Sequence, residues 1–282
     1  MKFRETPLGR DSFEIARAHF PPIRGEVRHP EGRHRGTVVH VHGFKGFARW
    51  GFFPYLADIL ARGGIRAITF DLSGSGVGAD RESFTELNAF RDNTISRELE
   101  DVALVRDHAR ERGWLEDRYG IFGHSRGGGI AVLHAARDAG VAAIATWSAI
   151  STIARWSPDD LARWHAEGEF PVTNARTGQV LMLGPAFRDE VERQADADLS
   201  ITAAAARLTI PWLLAHGSAD ETVPFEEAER LREAAAAAQL RFARIGGASH
   251  TMDARHPLPI PLPPRLDRAV TMTVDFFRSS LA

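Results

Sequence analysis

The chain has 282 residues, a formal net charge of −2 and no cysteine. That length suits one α/β domain with an insertion and is enough to bury a large core. The near-balanced charge supplies no field to recruit nucleic acid or an anionic membrane, and the lack of cysteine excludes disulfides, thiolate nucleophiles and cysteine metal sites. Lysine occurs only at Lys2 and Lys45, against abundant arginine, a bias from which no function is read. Residues 1–13 have no apolar core of signal-peptide length. No stretch approaches the ~18 apolar residues of a membrane-spanning helix, so a cytoplasmic location is expected.

In chain order, residues 37–41 (TVVHV) and 65–70 (IRAITF) read as buried strands. A helix is expected over 96–112, with acidic residues at its start, Arg110 and Arg112 near its end and Gly113 as its stop. Strand 118–122, helix 127–137 and strand 141–147 follow. After a long interruption come strand 211–215 (PWLLA), a helix from Pro224 to about Ala238 that takes in the alanine run 234–238, and strand 240–245. The Pro-rich residues 256–264 read as an extended loop. A last helix carries Leu266, Val270, Val274, Phe277 and Leu281. Alternating strands and helices imply a mainly parallel sheet covered on both faces, with ligands bound beyond the carboxyl ends of its strands. The interruption at 151–207 is far longer than a usual connection. It holds helix-like pieces at 158–166 and 187–195 and a hairpin-like 171–183 turning at Arg176-Thr177-Gly178. It is expected to be a cap inserted before the acid-bearing strand, leaving 1–150 and 208–282 as the core.

Gly123-His124-Ser125-Arg126-Gly127 sits between an apolar strand and a Gly-rich apolar helix. A serine there must stand on a sharp turn to lift its hydroxyl above the sheet, and the positions two before and two after leave no room for a side chain. Serine needs a base, and the base needs an orienting acid. Asp220 follows strand 211–215, and His250 follows the last strand within GGASH. The order Ser, acid, His therefore makes Ser125 the candidate nucleophile, Asp220 the acid and His250 the base. Asp71, which also ends a strand, is the alternative acid. Negative charge developing on a carbonyl oxygen calls for preorganised N–H donors. The N–H of Arg126, after the serine, and that of Phe44, in the His42-Gly43-Phe44 turn, are the candidates.

Together HGFKG (42–46), FDLSGSG (70–76), GHSRGG (123–128), HGSADETVP (216–224) and GASH (247–250) resemble the α/β-hydrolase superfamily. Within it they are similar to dienelactone-hydrolase-like, cinnamoyl (feruloyl)-esterase-like and serine-aminopeptidase-like hydrolases. The resemblance implies an α/β-hydrolase fold and serine-hydrolase chemistry without a cofactor. Serine in place of the cysteine of dienelactone hydrolase, and the longer insertion, favour esters. A haloalkane dehalogenase would need aspartate at Ser125.

The expected activity is hydrolysis of carboxylic esters with small to medium acyl groups, aromatic ones included. A peptidase or amidase with the same three residues is the alternative. A catalytically silent binding protein would have been signalled by loss of one of them. Trp147, Trp156, Trp164 and Phe187 are candidates to line the acyl pocket, with packing inside the cap as the competing role. His40 and His42 form an H-x-H pair with no further ligand in register, so no metal site is expected. The 74–78 loop lacks dinucleotide spacing and is expected at the rim of the site. Two roles are open to the side chain of Arg126, binding a substrate carboxylate and pairing with an acidic residue, and the structural pairing is the expected one. A small-molecule ester is the expected partner, with no nucleic acid or membrane; a homo-oligomer is left open.

Overall fold

The computed structural model describes residues 8–281, so residues 1–7 of the opening segment, Lys2 among them, lie outside the described residues. The first elements are a hairpin that the sequence pattern did not announce, β1 (Arg10–Arg17) and β2 (Phe20–Arg28). Then come β3 (Gly36–Val41), α1 (Phe52–Arg62), β4 (Ile65–Asp71), α2 (Leu87–Arg91), α3 (Ile95–Glu111), β5 (Tyr119–His124), α4 (Arg126–Ala135) and β6 (Val141–Trp147). The segment between β6 and the next strand of the main sheet carries α5 (Pro158–Glu167), β7 (Phe170–Thr173), β8 (Val180–Leu183), α6 (Pro185–Gln194) and α7 (Ile201–Ala206). The chain closes with β9 (Pro211–Gly217), α8 (Phe225–Ala234), β10 (Gln239–Ile245) and α9 (Pro264–Ser280).

Eight strands form one sheet in the order β1-β2-β4-β3-β5-β6-β9-β10. From β4 to β10 all neighbours run parallel, and only the β1–β2 and β2–β4 pairs are antiparallel. Every residue of β5 and β6 is buried, as expected for strands covered on both faces. Helices α1 and α9 pack on one another, while α3, α4, α7 and α8 form a second connected layer. From β3 the chain steps to β4 on one side, then returns to β5 on the other. That reversal opens a crevice beyond the carboxyl ends of β3 and β5, where an α/β sheet places its ligands.

Helix α3 starts where Thr94 accepts a hydrogen bond from the N–H of Arg97 (3.2 Å), one residue before the expected helix. Helix α8 departs further from expectation. It ends at Ala234, and Ala235 to Ala238 turn instead of continuing it. Gln239 must already pair with Pro211 to set the β9–β10 register, so tertiary pairing overrides the helix propensity of alanine.

The aromatic residues of the inserted segment 151–207 pack on one another and join the main hydrophobic core. Trp164 lies 5.3 Å from Trp156 and 5.2 Å from Phe170, and Trp156 lies 5.5 Å from Phe187, ring centre to ring centre. Trp164 and Phe187 are fully buried. The hairpin β7–β8 turns through residues 174–179 with Gly178 at φ 72°, at the turn expected from the sequence.

A single residue, Ser125, joins β5 to α4. The turn closes only because its flanking positions are bare. A Cβ at Gly123 would lie 2.2 Å from the carbonyl oxygen of Gly127, and one at Gly127 would lie 2.3 Å from that of Val41. Both obstacles are backbone, which cannot swing aside. Gly123→Ala should therefore destabilise the fold by at least about 3 kcal/mol. Thermal denaturation should show this as a midpoint lowered by roughly 6 °C or more. Gly246→Ala, where an added Cβ meets nothing within 4 Å, is the control and should leave the midpoint unchanged.

Candidate active site

Ser125 has φ 56° and ψ −123°, a left-handed conformation that costs a non-glycine residue about 1–3 kcal/mol. Backbone hydrogen bonds hold it there. Its N–H donates to the carbonyl of Trp147 (2.9 Å), and its carbonyl accepts from the N–H of Gly128 (2.9 Å) and of Ile150 (3.3 Å). The residue is 8% exposed and lines a cavity of about 270 Å³ at the β3–β5 crevice.

His250 lines the same cavity from the loop after β10. Its Nδ1 lies 2.9 Å from Oδ2 and 3.1 Å from Oδ1 of Asp220, which leaves Nε2 as the ring nitrogen for the cavity. The Asp220 side chain is fully buried, and its Oδ1 accepts the N–H groups of Thr222 (3.0 Å) and Val223 (2.8 Å). Burial alone would raise this carboxyl. The imidazoles of His216 and His250 beside it and the Val223 N–H outweigh burial and hold it well below the usual carboxylate range. It is thus a carboxylate at neutral pH, and Nδ1 of His250 carries the proton between them. The neighbouring His216 gives its Nε2 to the carbonyl of Val223 (2.8 Å), bracing the turn that carries Asp220.

His124, just before the serine, also supports the His250 loop. Its Nε2 lies 2.9 Å from the carbonyl oxygen of His250, so Nε2–H is the donor. Burial, with the His250 charge adding to it, brings this imidazole down to about 3, so it is neutral at ordinary pH. In the sequence His124 is only the variable position of the GHSRGG pattern, with no signal for this role.

The turn after β3 lies against the serine. A Cβ on Gly43 would come within 3.0 Å of Ser125 Cβ. The carbonyl of Gly43 is turned toward Nδ1 of His42 (2.9 Å) and the N–H of Gly46 (3.1 Å). In a trans peptide the N–H points opposite to the C=O, so these bonds aim the N–H of Phe44 the other way. Arg126 is the first residue of α4, where a backbone N–H has no partner within its helix. Its guanidinium reaches Glu98 (3.2 Å) and lies over the Phe44 ring at 4.0 Å, the acidic pairing expected for it.

Asp71 is engaged elsewhere. Its Oδ1 accepts the N–H of Ala48 (2.6 Å) and its Oδ2 pairs with Arg81 (2.8 Å), which also holds Glu26 (2.7 Å). His40 packs its ring on Phe122, and Nε2 of His42 accepts the N–H of Leu72 (3.1 Å). Among the described residues no group of three or more His, Asp or Glu could hold a metal ion, and no helix is long and apolar enough to cross a membrane. The 74–78 loop does not line the cavity, contrary to expectation; Ser73 before it is tied to Asp101 through both N–H and hydroxyl.

None of the four aromatic residues expected in the acyl pocket lines this cavity. Trp147 is fully buried beneath the sheet edge, its indole N–H given to the hydroxyl of Thr273 (2.9 Å). Trp156, Trp164 and Phe187 pack against one another inside the inserted segment. The walls are instead Phe44, Trp50 and Phe53, with Lys45 and the turn residues Asn174, Ala175 and Arg176. Neither Trp50, just before α1, nor Phe53, in its first turn, stands out in the sequence, because Pro54 interrupts the helical pattern there. A larger, open groove of about 840 Å³ between α3, α4 and α6 is lined by charges such as Arg106 and Asp138 that pair with one another (2.8 Å).

Solved structures share this architecture. The chain is similar to Est1E from Butyrivibrio proteoclasticus with ferulic acid bound (18% identity, 95% of this chain and 98% of that one, TM-score 0.72). It is similar to dienelactone hydrolase from Anabaena variabilis (19% identity, 98% and 99%, TM-score 0.64). It also resembles Pyrococcus horikoshii acylaminoacyl peptidase (16% identity, TM-score 0.69), covering 97% of this chain but 42% of that one. At such identities the likeness establishes the fold alone. No curated protein matches the sequence. The alpha/beta hydrolase family model matches residues 38–260, and the chain belongs to that family.

Proposed function

We propose that the protein is a serine hydrolase of carboxylic esters in which Ser125, His250 and Asp220 act together. The observation that carries this reading is the pairing of His250 Nδ1 with a buried carboxylate while His250 shares one small cavity with a serine held on a left-handed turn. Nε2 of His250 takes the hydroxyl proton as Ser125 Oγ attacks the ester carbonyl carbon. The oxyanion is held by the N–H groups of Phe44 and Arg126. The His250 imidazolium gives its proton to the leaving alkoxide, and the ester C–O bond breaks to leave acyl-Ser125. Water then attacks the acyl carbon as Nε2 takes its proton. Acid departs and Ser125 regains its hydroxyl hydrogen. Asp220 fixes the imidazole tautomer and favours its charged form.

In this reading residues 151–207 are a cap that contributes its hairpin turn, and not its aromatic core, to the site. A cavity of about 270 Å³ walled by Phe44, Trp50 and Phe53 suits a small to medium acyl group. The likeness to a structure holding ferulic acid is in keeping with an aromatic one.

A fluorophosphonate should label Ser125 alone, read by intact mass and peptide mapping. Folded protein that stays unlabelled, or carries the label elsewhere, would remove the nucleophile assignment.

The two aspartates should separate by phenotype. Asp220→Asn should lower kcat about 10⁴-fold with the fold intact, because amide in place of carboxylate favours the wrong tautomer of His250. Asp71→Asn removes one of the two carboxylates that hold Arg81, leaving Glu26, and should instead cost stability, about 1.5–3 kcal/mol by chemical denaturation, with a far smaller effect on kcat. The reverse ranking in kcat would show that Asp71 is the acid.

A further inference from the structure

Two cations line the cavity without a counter-charge. Lys45 Nζ donates to the carbonyl of Thr173 (2.7 Å), and the Arg176 guanidinium donates to the carbonyl of Lys45 (2.7 Å). Arg176 also lies over the rings of Phe47 (5.3 Å) and Trp50 (5.4 Å). Both hydrogen-bond partners are neutral oxygens, and neither cation forms an ion pair among the described residues. Arg81 and Arg126, by contrast, each hold a buried carboxylate. The residues lining the cavity include no Asp or Glu. Two further lining residues carry N–H donors that are buried and unpartnered, Nε1 of Trp50 and Nδ2 of Asn174. The side chains of this wall therefore carry two permanent positive charges and no negative one.

Lys45 itself is singular. It is the only lysine besides Lys2 in a chain that uses arginine elsewhere, and it sits at φ 54°, where glycine would be unstrained. Burial, and after it the charges of Arg126 and Arg176, pull its ammonium below the ordinary lysine range. Lys45 is half-buried and Arg176 is exposed at the mouth of the cavity, so both charges stay open to an anion brought by a ligand.

We infer that Lys45 and Arg176 form an anion subsite through which the cavity selects esters bearing a second, free carboxylate on the acyl part. This rests on the hydrolase reading above. An Arg fork and an ammonium both match a carboxylate, and the small cavity leaves room for a compact planar anion beside the ester. The hairpin turn of residues 174–179 thereby joins substrate selection, since Arg176 comes from the inserted segment and Lys45 from the loop that also carries the Phe44 N–H.

Binding is measured by calorimetry on Ser125→Ala protein, with succinate, adipate and terephthalate as probes and inorganic phosphate beside them. At least one dicarboxylate should bind, more weakly as salt is raised. Its Kd should rise about 10- to 100-fold when Lys45→Gln and Arg176→Gln are combined. Lys45→Arg, which keeps the charge, should retain most of the affinity. The single variants are read as well, so that failure of the double variant to fold leaves the test intact. With Ser125 present, the ratio of kcat/KM for mono(4-nitrophenyl) terephthalate over 4-nitrophenyl 4-carbamoylbenzoate should fall by a similar factor in the same variants. Comparing ratios cancels the intrinsic reactivity of the two esters. Absence of dicarboxylate binding, binding indifferent to both substitutions, or preference for phosphate would overturn the subsite. If the parent cleaves neither ester, the hydrolase reading fails, and the titrations still decide the subsite.

Discussion

The left-handed turn at Ser125 is the constraint on which the rest depends. It is held at a conformation costing about 1–3 kcal/mol, and the surrounding backbone supplies what keeps it there. The N–H is fixed by β6 through Trp147, and the carbonyl by the first turn of α4 and by Ile150 beyond the end of β6. For α4 to start this close to β5, Gly123 and Gly127 must be bare, and α4 must press against the end of β3. The same approach brings the Gly43–Phe44 turn against the serine. One strained residue thus fixes the spacing of β3, β5 and α4, and with it every group that faces the hydroxyl.

Electrostatics then divides labour among similar groups. Asp71 ends β4 and Asp220 lies in the turn just after β9, yet they meet different partners. Asp71 faces a permanent cation, Arg81, within a cluster that ties β2, β4 and the loop after β3. Asp220 faces two imidazoles and two backbone N–H groups. A guanidinium cannot release a proton at neutral pH, so the first carboxylate can only hold structure. An imidazole can gain or lose one, so the second can bias where a proton sits. The sequence could not separate the two, because Arg81 and Glu26 reach Asp71 from distant positions that no local pattern connects.

What was legible follows the same division between local and distant causes. Buried parallel strands announce themselves as apolar runs, and β6 was read to the residue at both ends. The β5–α4 turn was legible because steric demand writes itself as glycine at fixed spacing. The hairpin β1–β2 was not. In β1 the inward face is Phe13, Ile15 and Arg17, so only two apolar residues mark the alternation and the charged residues around them mask it. Helix α1 was hidden by a proline in its first turn, where proline is tolerated. The acyl-pocket reading failed for a different reason. Composition shows that a segment is rich in aromatic rings, but not which way they face.

The aromatic rings of the inserted segment act on the site indirectly. The segment between β6 and β9 needs apolar packing to hold its shape, and Trp156, Trp164, Phe170 and Phe187 are consumed in supplying it. An isolated two-stranded hairpin is marginal in water, and here Phe170, Leu181 and Leu183 anchor β7 and β8 in the core while β8 packs on α2. The turn at the hairpin's end is polar because turn geometry selects residues such as Asn174 and Gly178, not large apolar ones. Two hydrogen bonds, Lys45 to Thr173 and Arg176 to Lys45, then fasten that turn to the loop after β3. The aromatic load therefore acts on the site at one remove. It supplies rigidity, while the contacts facing the cavity from this segment come from a turn whose side chains are small or polar.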